Sequence, residues 1–211
     1  MFGLTPANAE VRMAEGAEER TDIELLRRSA AGEEAAFNAL YDRHQQAVYR
    51  FALYCSGSAE LAEEIAQEVF LLLIRAPQQY DTARGSSLQA YLCGVARNHL
   101  REHWKRDHVM VPLDEDEHGQ PPPIGCEGVL GDLTSREALA ALRQAVHTLP
   151  LRYREVVVLC HLQGLGYRDA AAILECAEGT VCSRLNRARA LLVEKLKACG
   201  VCPISVKTNG N

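Results

Sequence analysis

The chain has 211 residues, a formal net charge of -5, and a 47% hydrophobic content with only 6% aromatics. That length suits one large domain or two small ones. No apolar run reaches the roughly 18 residues that span a bilayer, and the N-terminus lacks a basic start followed by an apolar core, so a cytosolic chain without membrane insertion is expected.

Residues 1–20 are small, acidic and without period, and read as a mobile tail. Thr21 with Glu24 three residues later forms a capping box that opens a helix. Between Gly32 and Gly57, residues 33–55 place Phe37, Leu40, Tyr41, Val48, Phe51 and Cys55 on one stripe, which predicts a long amphipathic helix. Ser58 caps the next, in which Leu61, Ile65, Val69 and Leu72 repeat until Pro77 stops it. This helix carries Glu60, Glu63, Glu64, Gln67 and Glu68 on its outer side; from charge alone that is either a solvated face or a docking surface.

After a polar loop, Ser86 with Gln89 forms a second capping box. Leu88, Leu92, Val95, His99 or Leu100, and Trp104 then run down the inner side of a helix ending near Arg106. Its last turns hold Arg97, Arg101, Lys105 and Arg106 against Glu102. Residues 109–133 contain the acidic run Asp114, Glu115, Asp116 and Glu117, three consecutive prolines and several glycines, a composition that sustains neither helix nor core. Thr134 with Glu137 restarts the helical signal, and Pro150 suits the first turn of the following helix.

Residues 149–196 encode three helices ending in a basic one. Residues 167–174 form a short helix with Ala171 and Leu174 inward, 175–177 a turn, and a long helix begins near Glu178 with Val181, Leu185, Ala188 and Leu192 on its buried face. Cys182, Ser183, Asn186, Arg187 and Ala190 lie opposite, and Arg184, Arg187, Arg189, Lys195 and Lys197 outweigh Glu178 and Glu194. An isolated basic helix is as readily a solvated amphipathic element as a DNA reader. A short helix and a turn before it favour a helix-turn-helix, whose second helix enters the major groove.

The expected fold is therefore all-α: two small helical domains, 21–108 and 134–198, joined by a flexible acidic and Pro-rich linker at 109–133, the second domain carrying the helix-turn-helix, with a C-terminal tail at 199–211. The overall negative charge does not oppose nucleic-acid binding, because the acids and cations are segregated along the chain.

The eight cysteines are expected to be reduced thiols, with Cys55, Cys93 and Cys160 serving as small hydrophobes. Cys199 and Cys202 form a C-x-x-C, and Cys160-His161, Cys176 and Cys182 share its domain. Two adjacent ligands fall short of the roughly four that a zinc site needs, so no metal is expected, and metal or thiol sensing stays a minor alternative. No phosphate loop, nucleophile elbow or His-Glu metal motif is present, so neither an enzyme, a cofactor nor a small-molecule substrate is expected.

Three segments in this order resemble the extracytoplasmic-function, or group IV, sigma factors of the sigma-70 family, the promoter-recognition subunits of bacterial RNA polymerase. AEEIAQEVFLLLIRA at 62–76 and AYLCGVARNHLREHWKR at 90–106 are similar to region two, and 149–189, with GTV-x-SR-x-x-RAR at 179–189, looks like region four. The resemblance implies an alternative sigma factor that binds core RNA polymerase, directs it to promoters and helps open DNA. It implies docking on the clamp of the largest subunit through Glu64, Gln67 and Glu68, contact with the polymerase flap, and possible restraint by an anti-sigma factor. It also implies minus-ten contacts from Arg84, Tyr91, Arg97, Asn98, Arg101 and Lys105, and minus-thirty-five contacts from Thr180, Ser183, Arg184, Asn186 and Arg187. The linker would follow the RNA exit path or serve as a plain tether.

The chain departs from the family's pattern at four positions. Leu88 and Tyr91 replace a frequent Phe and Trp, Cys182 replaces Arg or Lys, and Gly166 replaces a Ser cap. The rival reading is a conventional helix-turn-helix regulator with a helical sensing domain, thiol- or metal-responsive, which would bind DNA without polymerase.

Overall fold

The computed structural model describes residues 21–81, 86–106 and 136–198, and every regular element among them is helical. The N-terminal unit comprises α1 (Asp22–Ala30), α2 (Glu34–Ser56), α3 (Ala59–Arg75), a 3₁₀ turn at Pro77–Gln79 and α4 (Leu88–Arg106). The Thr21 hydroxyl accepts the Glu24 N–H at 3.3 Å, and the Ser58 hydroxyl accepts that of Leu61 at 3.2 Å, so two of the expected caps start α1 and α3. At α4 the cap is Ser87, whose hydroxyl accepts the Ala90 N–H at 3.2 Å, rather than Ser86. A cap serves the N–H three residues on; with Leu88 the first helical residue, only Ser87 is in that register. Gln89 is thereby freed to reach across the molecule to Gln163.

The central helix is α2. Leu40, Val48, Phe51, Ala52 and Cys55 are buried on it, and α1, α3 and α4 all pack around it. Leu25 and Leu26 enter from α1, Ile65, Val69, Phe70 and Leu73 from α3, and Leu88, Leu92, Cys93, Ala96 and Leu100 from α4. Two expected core residues sit at the edge instead. Tyr41 is 39% exposed with its ring edge-on to Phe70 at 4.8 Å, and Leu72 is half-buried while Leu73 takes the interior place. The inward line on α3 runs Ala62, Ile65, Val69, Leu73, and one residue of a helix turns about 100° away from it. Asp22 ties α1 to α2 by pairing with Arg43 and with the buried His44, whose Nε2 lies at 3.0 Å. The hydrogen bond from His44 is the main reason that the Asp22 carboxyl titrates below its ordinary range.

In the C-terminal unit, α5 (Arg136–His147) precedes α6 (Leu151–Val157), which continues through a π turn at Val158–Leu162; α7 (Tyr167–Leu174) and α8 (Glu178–Ala198) follow. Pro150 stands at the N-cap of α6 instead of in its first turn, where its carbonyl accepts the N–H groups of Tyr153 and Arg154. Val156 to Leu159 form an apolar run that is wholly buried, and α7 and α8 close over it with Ala170, Leu174, Val181, Leu185 and Leu192. The Thr134–Glu137 cap, the two tails and the linker lie outside the described residues.

The two units pack on each other, α4 along α7 and α2 against α5 and α6. Arg154 donates to the carbonyls of Cys55 at 2.8 Å and Leu149 at 2.9 Å, and Gln163 donates to the carbonyl of Ala47 at 3.0 Å. Gly57 ends α2 in the left-handed region at φ 77°, and a Cβ there would lie 1.9 Å from Nε2 of His147. The left-handed φ is the demand that favours glycine, since the exposed His147 ring can swing aside.

Burial decides thiol behaviour. Cys55 and Cys93 are 2% and 0% exposed, and burial pushes the Cys93 thiol up to about 12, Cys55 well up, and half-buried Cys160 up to about 11. Since the thiolate is the nucleophile, iodoacetamide at neutral pH is expected to leave Cys55 and Cys93 intact while labelling exposed Cys182. Peptide mass mapping checks this, and equal labelling of Cys93 and Cys182 in the folded chain would contradict the packing.

Candidate functional site

Three surfaces carry the residues singled out in the sequence. The first is α3. Its outer stripe runs Glu60, Glu63, Glu64, Gln67, Leu71 and Ile74, positions that a helical repeat brings to one side. The first half of the stripe is acidic and polar. The second is apolar, with Leu71 46% and Ile74 50% exposed. Beside it a cleft of about 550 Å³ between α2 and α3 is lined by Tyr41, Gln45, Tyr49, Glu63 and Gln67, among others. Glu64 and Gln67 are exposed, but Glu68 turns aside and pairs with Nδ1 of His99 on α4 at 2.7 Å. Leu71 and Ile74 were missed because an apolar residue in a helix is read as core; their distance from the inward line of α3 was the available signal.

The second surface is α4. Tyr91, Asn98 and Lys105 recur every seventh residue on one line, with Asn98 and Lys105 exposed and Tyr91 half-buried. The Tyr91 ring packs on Tyr80 with centroids 5.4 Å apart, and the Tyr80 hydroxyl donates to the carbonyl of Ser86 at 2.8 Å. Burial raises both phenols above their ordinary range. Tyr80, in the loop before α4, thus stands beside Tyr91 as a second ring. Arg84 lies outside the described residues. Arg97 and Arg101 face the C-terminal unit: Arg97 pairs with Glu155 at 2.8 Å, and Arg101 with Glu175 at 3.3 Å.

The third surface is the outer side of α8. Val181, Leu185, Ala188, Leu192 and Leu196 are buried, which leaves Ser183 and Arg187 exposed and Thr180, Arg184 and Asn186 half-buried. The Ser183 hydroxyl donates to the carbonyl of Thr180 at 3.0 Å, and Arg189 turns back to His161 at 3.2 Å. Gly166 stands at the N-cap of α7, and Glu175 ends it in the left-handed region, so α7, a tight turn and α8 form the helix-turn-helix. No group of three or more His, Cys, Asp or Glu side chains among the described residues is placed to hold a metal, and Cys199 and Cys202 fall outside them. No helix among the described residues is long and apolar enough to cross a membrane.

Known proteins fall on the same two halves. Sigma-70 region 2 matches residues 40–108, and Sigma-70, region 4 matches residues 139–192. The chain is 34% identical to the ECF RNA polymerase sigma factor SigM of Mycobacterium tuberculosis over 184 residues, which is 86% of this chain and 87% of that protein. Among solved structures, the sigma factor RpoE in complex with the anti-sigma factor NepR from Bartonella quintana is 27% identical with a TM-score of 0.58, over 76% of this chain and 96% of that one. CnrH in complex with the cytosolic domain of CnrY shares the fold, with a TM-score of 0.61 at 24% identity over 84% of this chain and 97% of that one. With both regions present in order and a relative matched along most of its length, the chain belongs to the ECF RNA polymerase sigma factors of the sigma-70 family.

Proposed function

We propose that this sigma factor works through the three surfaces just described, in the cytoplasm, with residues 21–108 and 134–198 as its two working domains. The α3 stripe docks on the clamp of the polymerase's largest subunit: Glu64 and Gln67 offer charge and hydrogen bonds, Leu71 and Ile74 offer apolar area, and Glu68 acts beside them from its pairing with His99. The flap takes the C-terminal domain, which holds the minus-thirty-five element on α8 through Thr180, Ser183, Arg184, Asn186 and Arg187. On α4, Tyr91 with Tyr80, Asn98, Lys105, Arg97 and Arg101, together with Arg84, holds the minus-ten element. An anti-sigma factor is a fitting restraint, since the similar sigma factor RpoE was solved in complex with one.

Opening the duplex needs no catalytic group. Its cost is met by stacking and hydrogen bonding of bases captured from one strand and by cations along the backbone. The Tyr80–Tyr91 pair and the cations Arg97, Arg101, Lys105 and Arg106 further along α4 have the composition for that task.

The observation that carries this reading is the ordered presence of regions 2 and 4, with the α3 stripe and the α8 face both open to solvent. The test is reconstitution with core RNA polymerase on pooled genomic fragments, with transcript starts read by sequencing. Discrete starts sharing two spaced upstream elements are expected, lost when Glu64 and Gln67 are both replaced by alanine. Arg187→Ala should relax preference at one base of the upstream element by about 1–3 kcal/mol, the worth of a bidentate guanidinium contact. Sequence-specific DNA binding without polymerase, and no core-dependent starts, would overturn it.

A further inference from the structure

Three carboxylates on α3, Glu60, Glu64 and Glu68, follow one another at intervals of four residues, one above the next along the helix. Like charges at that spacing repel, and the line is relieved where one of its members finds a donor on a neighbouring helix. Glu68 is the member at the seam with α4, on the same edge as the half-buried Leu72 one turn further on. Its Oε2 lies 2.7 Å from Nδ1 of His99, the Glu68 side chain being 38% exposed and that of His99 27%. An ionised carboxylate offers only lone pairs, so the imidazole presents its Nδ1–H there, whatever its other nitrogen carries.

The pair joins two helices with different outward faces. Glu64 and Gln67 stand exposed on the α3 stripe, and Asn98, next to His99 in sequence, stands exposed on α4. Glu68 is rotated by only about 40° from Glu64 around α3, near enough to the stripe to swing into line with it. In the free chain it turns to α4 instead. A positively charged surface that meets the exposed Glu60, Glu63 and Glu64 therefore has a fourth carboxylate within reach, but has to draw it from His99. Partly exposed pairs are weak, so the exchange needs no rearrangement of the fold.

We propose that His99 is a positioning residue for polymerase docking: it holds Glu68 at the seam between α3 and α4, and the clamp competes with it for that carboxylate. The proposal rests on the reading of the α3 stripe as the surface that meets the clamp. His99 acts through Glu68 and lowers the affinity for core polymerase by the strength of the pair. A residue of α4 thereby sets how many carboxylates α3 offers.

The test is equilibrium binding of the full chain, labelled with a fluorophore at its N-terminus, to core RNA polymerase without DNA, read by anisotropy. His99→Leu should bind about two- to fivefold more tightly than the native chain, the range that a partly exposed pair spans. The gain should vanish when Glu68→Gln is added. Glu68→Gln should in turn cost less in the native background than beside His99→Leu, where the carboxylate has no partner to leave. His99→Lys, which returns a donor to the seam, should bind like the native chain. A His99 that only supported the fold would weaken binding on removal, and by the same factor with or without Glu68. His99→Ala serves as a second variant at this half-buried position, and melting curves by circular dichroism accompany each.

Equal or weaker binding by a His99 variant that melts like the native chain, or a gain that persists beside Glu68→Gln, would overturn the proposal. Failure of the underlying reading looks different: Glu64→Ala and Gln67→Ala would then leave the affinity for core polymerase unchanged, and His99 would have no docking surface to tune.

Discussion

Phe51→Ala is expected to destabilise the N-terminal unit by about 3–5 kcal/mol, the usual cost of deleting a packed aromatic side chain. Phe51 is 0% exposed and lies on α2, the helix against which α1, α3 and α4 all pack. Its removal forfeits the transfer free energy of the ring and leaves a cavity bounded by helices that cannot all move inward together. A domain holds a margin of only about 5–15 kcal/mol, so the loss is a large share of it. Urea denaturation followed by circular dichroism measures the effect as a lower midpoint. Phe51→Leu, which keeps most of the volume, should cost below about 1.5 kcal/mol. A loss under about 1 kcal/mol for the alanine variant would mean that the four-helix packing is not as described.

Leu185→Ala should cost about 2–5 kcal/mol and release α8 from the C-terminal unit. Leu185 is 1% exposed at the middle of the inward line of α8, on the side opposite the exposed Ser183 and Arg187. Arg187 and Ser183 remain in this variant, yet the helix that aims them loses its support. Recognition of the upstream element and thermal stability should therefore fall together. Arg187→Ala gives the contrast: as an exposed residue it should change stability by no more than about 0.5 kcal/mol while relaxing one base of the element. Melting curves and start-site sequencing on both variants separate scaffold from contact, and a Leu185→Ala chain that melts like the native one would remove the distinction.

Some boundaries in the fold were legible from local chemistry. The Thr21 and Ser58 caps, the stop before Pro77, the inward line of α8, and the turn from α7 into α8 all follow from residues a few positions apart. The errors were rotational or off by one. Ser87 displaced Ser86, Leu73 displaced Leu72, and Tyr41 moved to the rim, because a helical stripe has edges whose burial depends on which neighbour arrives.

The sequence by itself determined that this protein is helical, that its helices fall into an N-terminal and a C-terminal group, and that its second half ends in a basic helix after a tight turn, with Ser183 and Arg187 outward. Those properties come from a period of 3.6 residues, from capping hydroxyls and from motif order, all of which are local. Only the tertiary structure decided what the charged groups meet. Glu68 turns to His99, Leu71 and Ile74 extend the exposed stripe of α3, and Arg97 finds Glu155, 58 positions away in the chain. A charge takes its partner from whatever element packs beside it, and no spacing along the chain carries that information.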